Sequence, residues 1–359
     1  MIENRIFNFS AGPAVLPEDV LLQVRDNLLN YKNCGLGMME MSHRGKEFTE
    51  IIQDTEATLR KLLSISDDYA VIFTTGGATN QFSMVAMNLL GGATGNYINT
   101  GVWSKKAIAE AKKFGEVHVA ASSEGDSFSS IPTNIDLSNN AAYLHFTSNN
   151  TIFGTQFSAE PQAGSTPLIC DASSDFLHKP LDVSKYGLIY AGAQKNLGPS
   201  GVTLVVIRKD LLERIPENLP IMMDYRTYVD GESLYNTPPT LPIYVVGEVL
   251  KWIDAQGGLV EMEKRNRNKA AVLYQAIDAG DFYRGTAQKG SRSVMNVTFR
   301  LASENLESLF LEKAKAAGFS GLKGHRSVGG IRASVYNAFP SQGVDALVEF
   351  MKEFESSNG

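Results

Sequence analysis

Lys195 lies in Tyr190-Ala-Gly-Ala-Gln-Lys195-Asn-Leu-Gly198, directly after the apolar run Gly187-Leu-Ile-Tyr190. A second apolar run, Pro167-Leu-Ile-Cys170, ends upstream in Asp171. A lysine held among small residues at a strand end is partly desolvated. That disfavours the ammonium form and leaves a nucleophilic amine near neutral pH. An aspartate closing a neighbouring strand can face a protonated pyridine nitrogen. A Schiff-base lysine with a carboxylate partner for a pyridinium is what pyridoxal 5'-phosphate chemistry requires. Most lysines after a strand are solvated surface charges. The flanks Gly192, Ala193, Gly198, Pro199 and Gly201, together with Asp171, favour the catalytic reading.

Other segments carry residues suited to the same chemistry. Gly76-Gly-Ala78-Thr79-Asn-Gln-Phe82 follows an apolar run and opens a helical pattern. The glycines permit a tight turn, and free N–H groups at a helix start bind phosphate. The spacing is not a dinucleotide-binding fingerprint, and such turns also occur for purely structural reasons. Trp103 stands where a strand gives way to a helix; its indole can stack on a flat ring or plug a core edge. Thr151, in a loop after a strand, offers a hydroxyl to a ligand or to its own turn. His43 and Arg44, His325 and Arg326, and Arg332 lie beside glycines. Guanidinium forks suit carboxylate and phosphate, although a single arginine is usually a solvated charge. The prolines of Asn236-Thr237-Pro-Pro-Thr240 fix an extended arm.

These residues need a scaffold. From about Tyr69 the chain alternates apolar runs with helical patterns. The runs are Tyr69–Phe73, Asn96–Thr100, Ala141–Phe146, Pro167–Cys170, Gly187–Tyr190 and Val202–Ile207. Continuous runs of this kind predict a mostly parallel α/β sheet covered on both faces by helices. A helical stretch then runs from about Ile243 to Ala279, broken near Gly257-Gly258. Strands at Val294–Phe299 and Ile331–Val335 and a helix around Leu306–Ala317 predict a smaller α+β domain. The expected division is a large domain over 16–260 and a small one from 1–15 and 261–359.

A chain of 359 residues with 43% hydrophobic content suits such a two-domain globule. Its net charge of -6 argues against general nucleic-acid affinity. No run approaches the roughly 20 apolar residues of a membrane span. The N-terminal residues show no secretory pattern. Cys34 and Cys170 read as free thiols in a reducing, cytoplasmic setting, and the five histidines lack zinc spacing, so no metal is expected.

Taken together, Phe7-Asn-Phe-Ser-Ala-Gly-Pro13, Met41-Ser-His-Arg-Gly-Lys-Glu-Phe48, the Lys195 segment, Asn236–Thr240 and Lys323-Gly-His-Arg-Ser-Val-Gly-Gly-Ile-Arg-Ala-Ser334 resemble the phosphoserine aminotransferases along essentially the whole chain. The resemblance implies a fold-type-I pyridoxal-phosphate enzyme of class V, working as a homodimer with sites at the subunit interface. Its reaction would interconvert O-phospho-L-serine and 2-oxoglutarate with 3-phosphonooxypyruvate and L-glutamate, in serine biosynthesis. Some bacteria also use the family in pyridoxine synthesis, on a phosphorylated hydroxythreonine.

By the same resemblance, Lys195 would hold the cofactor and then shuttle the substrate proton, and Asp171 would keep the pyridine nitrogen protonated. Trp103 would stack on the ring and Thr151 would bond it. Ala78, Thr79 and Gln194 would serve the cofactor phosphate, joined by Asn236 and Thr237 of the other subunit. Arg332 would pair with the substrate carboxylate. Arg44 with His43, and His325 and Arg326 from the partner chain, would grip the side-chain phosphate or the glutamate γ-carboxylate. Many members carry an arginine where this chain has Thr79, which leaves the other cations more of that task.

Two further readings are weighed. A serine–glyoxylate type aminotransferase or a cysteine desulfurase would use the same cofactor on unphosphorylated substrates. The cationic pairs argue against it, and neither cysteine is placed as a mobile nucleophile. A non-catalytic cofactor-binding regulator would have no need of both Lys195 and Arg332.

Overall fold

The computed structural model describes residues 5–359; the part of the expected small domain over residues 1–4 lies outside them. Seven strands build the central sheet: β1 (Tyr69–Thr74), β2 (Thr94–Asn99), β3 (Val117–Ser122), β4 (Ala141–Thr147), β5 (Leu168–Asp171), β6 (Leu188–Gly192) and β7 (Thr203–Arg208). Their order is β1-β7-β6-β5-β4-β2-β3. Neighbours from β6 through β3 run parallel, and only β7 runs against its neighbours β6 and β1.

The apolar runs of the sequence are apolar because both faces of each strand are covered. Successive β7 residues show it: Leu204 and Val206 join one buried cluster, while Val205 and Ile207 join another on the opposite face. Helices Lys46–Leu63 and Thr240–Ala255 supply the first cluster through Phe48, Ile52, Leu59, Val246 and Leu250. Helices Gly77–Leu89 and Val102–Ala111 supply the second through Phe82, Val85, Leu89, Ala107 and Ile108. Strands covered this way place the C-terminal ends of all six like-directed strands, β1 included, on one edge, where side chains from different loops can meet.

The six expected strands all form, with ends shifted by one or two residues. Strand β3 was not anticipated. It is an edge strand whose outer residues, such as Val119 at 42% exposure, meet solvent, so its sequence lacks a buried run. Helices Glu18–Leu28 and Lys46–Leu63 were also not read beforehand.

The long helix breaks where expected. Gly257 and Gly258 take φ of 100° and 74°, a region that side chains disfavour, and separate Thr240–Ala255 from Gly258–Ile277. Beyond the break a three-stranded antiparallel sheet forms in the order β8 (Arg284–Gly285), β9 (Asn296–Arg300) and β10 (Ile331–Ser334). It shares a third apolar cluster with Phe310 and Leu347 of two later helices, and with Phe9 near the N-terminus. Phe7–Asn8 pairs in parallel with Phe319–Ser320, which returns the N-terminal segment to the C-terminal third.

One buried cation joins these parts. Lys269, only 3% exposed, donates to the carbonyls of Tyr336 at 2.5 Å and Phe339 at 3.2 Å. Burial, with the charge of Arg265 beside it, holds its amine down at about 7. The unfolded chain keeps that proton up to the ordinary lysine value of 10.5. Unfolding therefore takes up a proton between these limits, and this residue's contribution to stability rises as pH increases through the window. We expect the urea midpoint of Lys269→Met to rise less than that of the parent between pH 7 and pH 9. Identical slopes would show that Lys269 stays charged in the fold.

Candidate active site

The C-terminal ends of the parallel strands surround a cavity of about 330 Å³. Five of these strands deliver chemistry to the wall. After β1 come Gly77, Ala78 and Thr79; after β2, Trp103; from the end of β4 onward, Thr147, Asn149 and Thr151. Strand β5 gives Asp171, Ser173 and Ser174, and β6 gives Gln194 and Lys195.

Lys195 is held by its neighbours. Ala193, Asn196 and Leu197 are buried on either side, and the turn closes through Gly198 N–H to the Ala193 carbonyl at 2.8 Å. The N-terminal segment lies across it: Ala14 N–H donates to the Gln194 carbonyl at 2.8 Å, and Gly12 approaches the Lys195 side chain. The Lys195 amine donates to Thr151 Oγ1 at 2.9 Å. Desolvation lowers its pKa to about 8; Asp171 opposes that shift and Arg332 adds to it. The amine is thus close to half deprotonated at mildly alkaline pH, as a nucleophile requires.

Asp171 is 4% exposed, and its Oδ1 accepts from the Ser173 amide at 3.0 Å. Burial raises its pKa, while the Ser173 bonds and the Lys195 charge resist. Such a carboxylate gains from a cationic partner brought into the cavity.

Gly76 and Gly77 have φ of 88° and 65°, and they open helix Gly77–Leu89. A Cβ at Gly76 would meet the Asn80 Cβ at 2.6 Å, so the turn requires glycine there. The first-turn N–H groups have no intrahelical partners, and Gly77, Ala78 and Thr79, which carry them, line the cavity. Trp103 is fixed by its neighbour Ser104, whose Oγ accepts from the Thr100 and Gly101 amides at 2.9 and 3.0 Å. Its ring centroid lies 5.9 Å from the Lys195 amine, and its buried Nε1 has no partner.

Arg332 comes from β10. Its Nη1 donates to the Thr151 carbonyl at 3.1 Å, and its buried Nε is unpartnered. One residue, Thr151, therefore touches both the lysine and the arginine.

The structure brings together Ala78, Thr79, Trp103, Thr151, Asp171, Gln194, Lys195, His325 and Arg332. His325, which the resemblance draws from a partner chain, lines the cavity of its own chain. His43, Arg44, Asn236, Thr237 and Arg326 do not line it; all but the half-buried His43 are exposed. Thr147, Asn149, Ser173 and Ser174 were not singled out in the sequence. Their signal was polarity at strand ends, in Thr147-Ser-Asn149 and Ala172-Ser-Ser-Asp175, which many surface loops share.

Residues 6–347 match the Aminotransferase class-V family. With this sheet and this lysine–aspartate cavity, the chain belongs to the class-V aminotransferases. It is 55% identical to the phosphoserine aminotransferase of Desulfatibacillum aliphaticivorans, with all of both chains covered. The solved phosphoserine aminotransferase of Bacillus circulans subsp. alkalophilus superposes with a TM-score of 0.98 at 52% identity, over 99% of this chain and 100% of that one. A PLP-bound phosphoserine aminotransferase from Trichomonas vaginalis gives 0.93 at 38% identity, over 97% and 100%. Within its class the chain belongs to the phosphoserine aminotransferase family.

Proposed function

We propose that the chain transfers the amino group between O-phospho-L-serine and 2-oxoglutarate, using pyridoxal 5'-phosphate, as a cytoplasmic homodimer. The observation that carries this is the pairing of the desolvated Lys195 amine with the buried Asp171 carboxylate in one cavity. The wall fits the cofactor. The glycine turn at Gly76 and Gly77 suits its phosphate, Asp171 suits its ring nitrogen, and the unpartnered indole of Trp103 flanks the space between. When bound, the cofactor supplies an electrophilic carbon and an electron-accepting ring.

The chain's own residues do the remainder. Lys195 would hold the cofactor through its amine, and the same nitrogen, lined up beside Thr151, would take and return the substrate's Cα proton. Arg332 offers a guanidinium edge to the α-carboxylate while the Thr151 carbonyl fixes the other end. Asp171 would hold the ring nitrogen through its carboxylate. Ala78, Thr79 and Gln194 stand where the cofactor phosphate would lie. Asn236, Thr237 and Arg44 are exposed, as residues that complete a partner's cavity must be, and His43, next to Arg44 in sequence, keeps an unpartnered Nε2. We place the domain division at residues 16–260 against 1–15 and 261–359. Free Cys34 and Cys170 suit a reducing compartment, and no described helix is long and apolar enough to cross a membrane.

The test is the near-visible absorbance of the holoprotein during titration. We expect O-phospho-L-serine to bleach the yellow band at concentrations where L-serine leaves it unchanged. Equal responses would move the assignment to an aminotransferase for unphosphorylated substrates.

A further inference from the structure

Lys105 and Lys106 are consecutive on helix Val102–Ala111, yet their surroundings differ. The Lys105 ammonium is neutralised by Glu124 at 2.5 Å and lies over the Phe128 ring. Lys106 is exposed and has no carboxylate within ion-pair distance among the described residues. Its ammonium stands 5.0 Å from the centroid of Trp103, whose ring lines the cavity. A cation over an indole is held lightly, and a lysine stem is flexible enough to leave the ring for an anion.

Lys106 and Arg326 stand outside the cavity lining, but further positive charge gathers at the wall beside Trp103. His325 lines the cavity, and its pKa is lowered first by burial and then by the charges of Arg332, Arg326 and Lys106, so Lys106 lies within electrostatic reach of it. Neither Arg326 nor Arg332 forms an ion pair among the described residues. Asp171 is the only carboxylate on the wall among the described residues, and Thr79 is neutral. Cations gathered without counter-charges repel one another until an anion enters, and a dianion relieves more of that repulsion than a monoanion does.

We propose that Lys106 is a specificity-determining residue whose ammonium binds the substrate's side-chain phosphate at the cavity mouth, beside His325 and Arg326. This rests on the phosphoserine reading above. A phosphate monoester carries about -1.5 to -2 charges near neutrality, against one for a γ-carboxylate. The same ammonium therefore favours the phosphate by roughly twice the free energy. A loss of about tenfold for phosphoserine then corresponds to about threefold for glutamate, its square root.

The test uses the holoenzyme with Lys106→Met, which keeps most of the stem over Trp103 and removes the charge, and Lys106→Arg, which keeps the charge. In Lys106→Met we expect the KM for O-phospho-L-serine to rise about tenfold and that for L-glutamate about threefold, with kcat nearly constant. Lys106→Arg should restore the low KM, and added salt should shrink the difference between parent and Lys106→Met. Unchanged KM values in Lys106→Met, equal rises for both substrates, or failure of Lys106→Arg to restore binding would each overturn the proposal. A parent enzyme that ignored phosphoserine would instead overturn the substrate reading on which it rests.

Discussion

Lys195→Ala is expected to lower the rate of transamination by about 10⁴-fold or more, the upper range for a positioned proton carrier. The loss is large because the proposed mechanism gives one amine two tasks, holding the cofactor and moving the substrate proton. Neither Arg332 nor Asp171 can substitute. The Arg332 guanidinium stays protonated, and Asp171 is buried against the Ser173 amide. The glycine turn, Trp103 and Asp171 remain, so the variant should still take up pyridoxal phosphate, now without a covalent bond. Gel filtration followed by absorbance reads that retention, and a coupled glutamate assay reads turnover. Small primary amines added in solution should restore part of the activity. Turnover within tenfold of the parent would show that another residue carries the proton.

Asp171→Asn keeps the shape of the cavity floor and removes its charge. We expect kcat to fall about 10²- to 10³-fold, the scale for losing one preorganised electrostatic group, with KM changing much less. A second readout separates charge from geometry. Asp171 is the principal influence raising the Lys195 pKa against desolvation. Without it, the free amine should titrate below its present value of about 8. The pH dependence of cofactor attachment to the apoprotein should therefore shift toward acid in Asp171→Asn. An unshifted profile with normal kcat would remove Asp171 from the mechanism.

Much of this arrangement is legible in the chain because the strands that carry it are buried on both faces. Val202–Ile207 and Ala141–Phe146 announce themselves by continuous apolar composition, and the residues that follow each run become candidates by position alone. Lys195, Asp171, Trp103 and Thr151 were found in that way. Strand β3 escaped because an edge strand needs no such run, and only Ala120 and Ala121 of its six residues are buried. Asn149, Ser173 and Ser174 escaped for a different reason. Ser174 and Asn149 bond each other, and Asn149 also bonds Asn296, so their place on the wall depends on contacts across 25 and 147 residues of sequence. No local pattern encodes such a pairing. The exposed Asn236, Thr237 and Arg44 drew attention by composition and took their roles from the resemblance, and within one chain they stand apart from the cavity.

The double contact of Thr151 has a thermodynamic corollary. Its hydroxyl accepts from Lys195 and its carbonyl from Arg332, while the charge of Arg332 helps depress the lysine's proton affinity. A carboxylate that neutralises Arg332 removes that influence and makes the free amine of Lys195 a stronger base. Linkage then requires the reverse: protonating Lys195 tightens the grip of Arg332 on the carboxylate by the same factor. Substrate capture and proton acceptance, assigned to residues on two different sheets, are therefore a single coupled equilibrium.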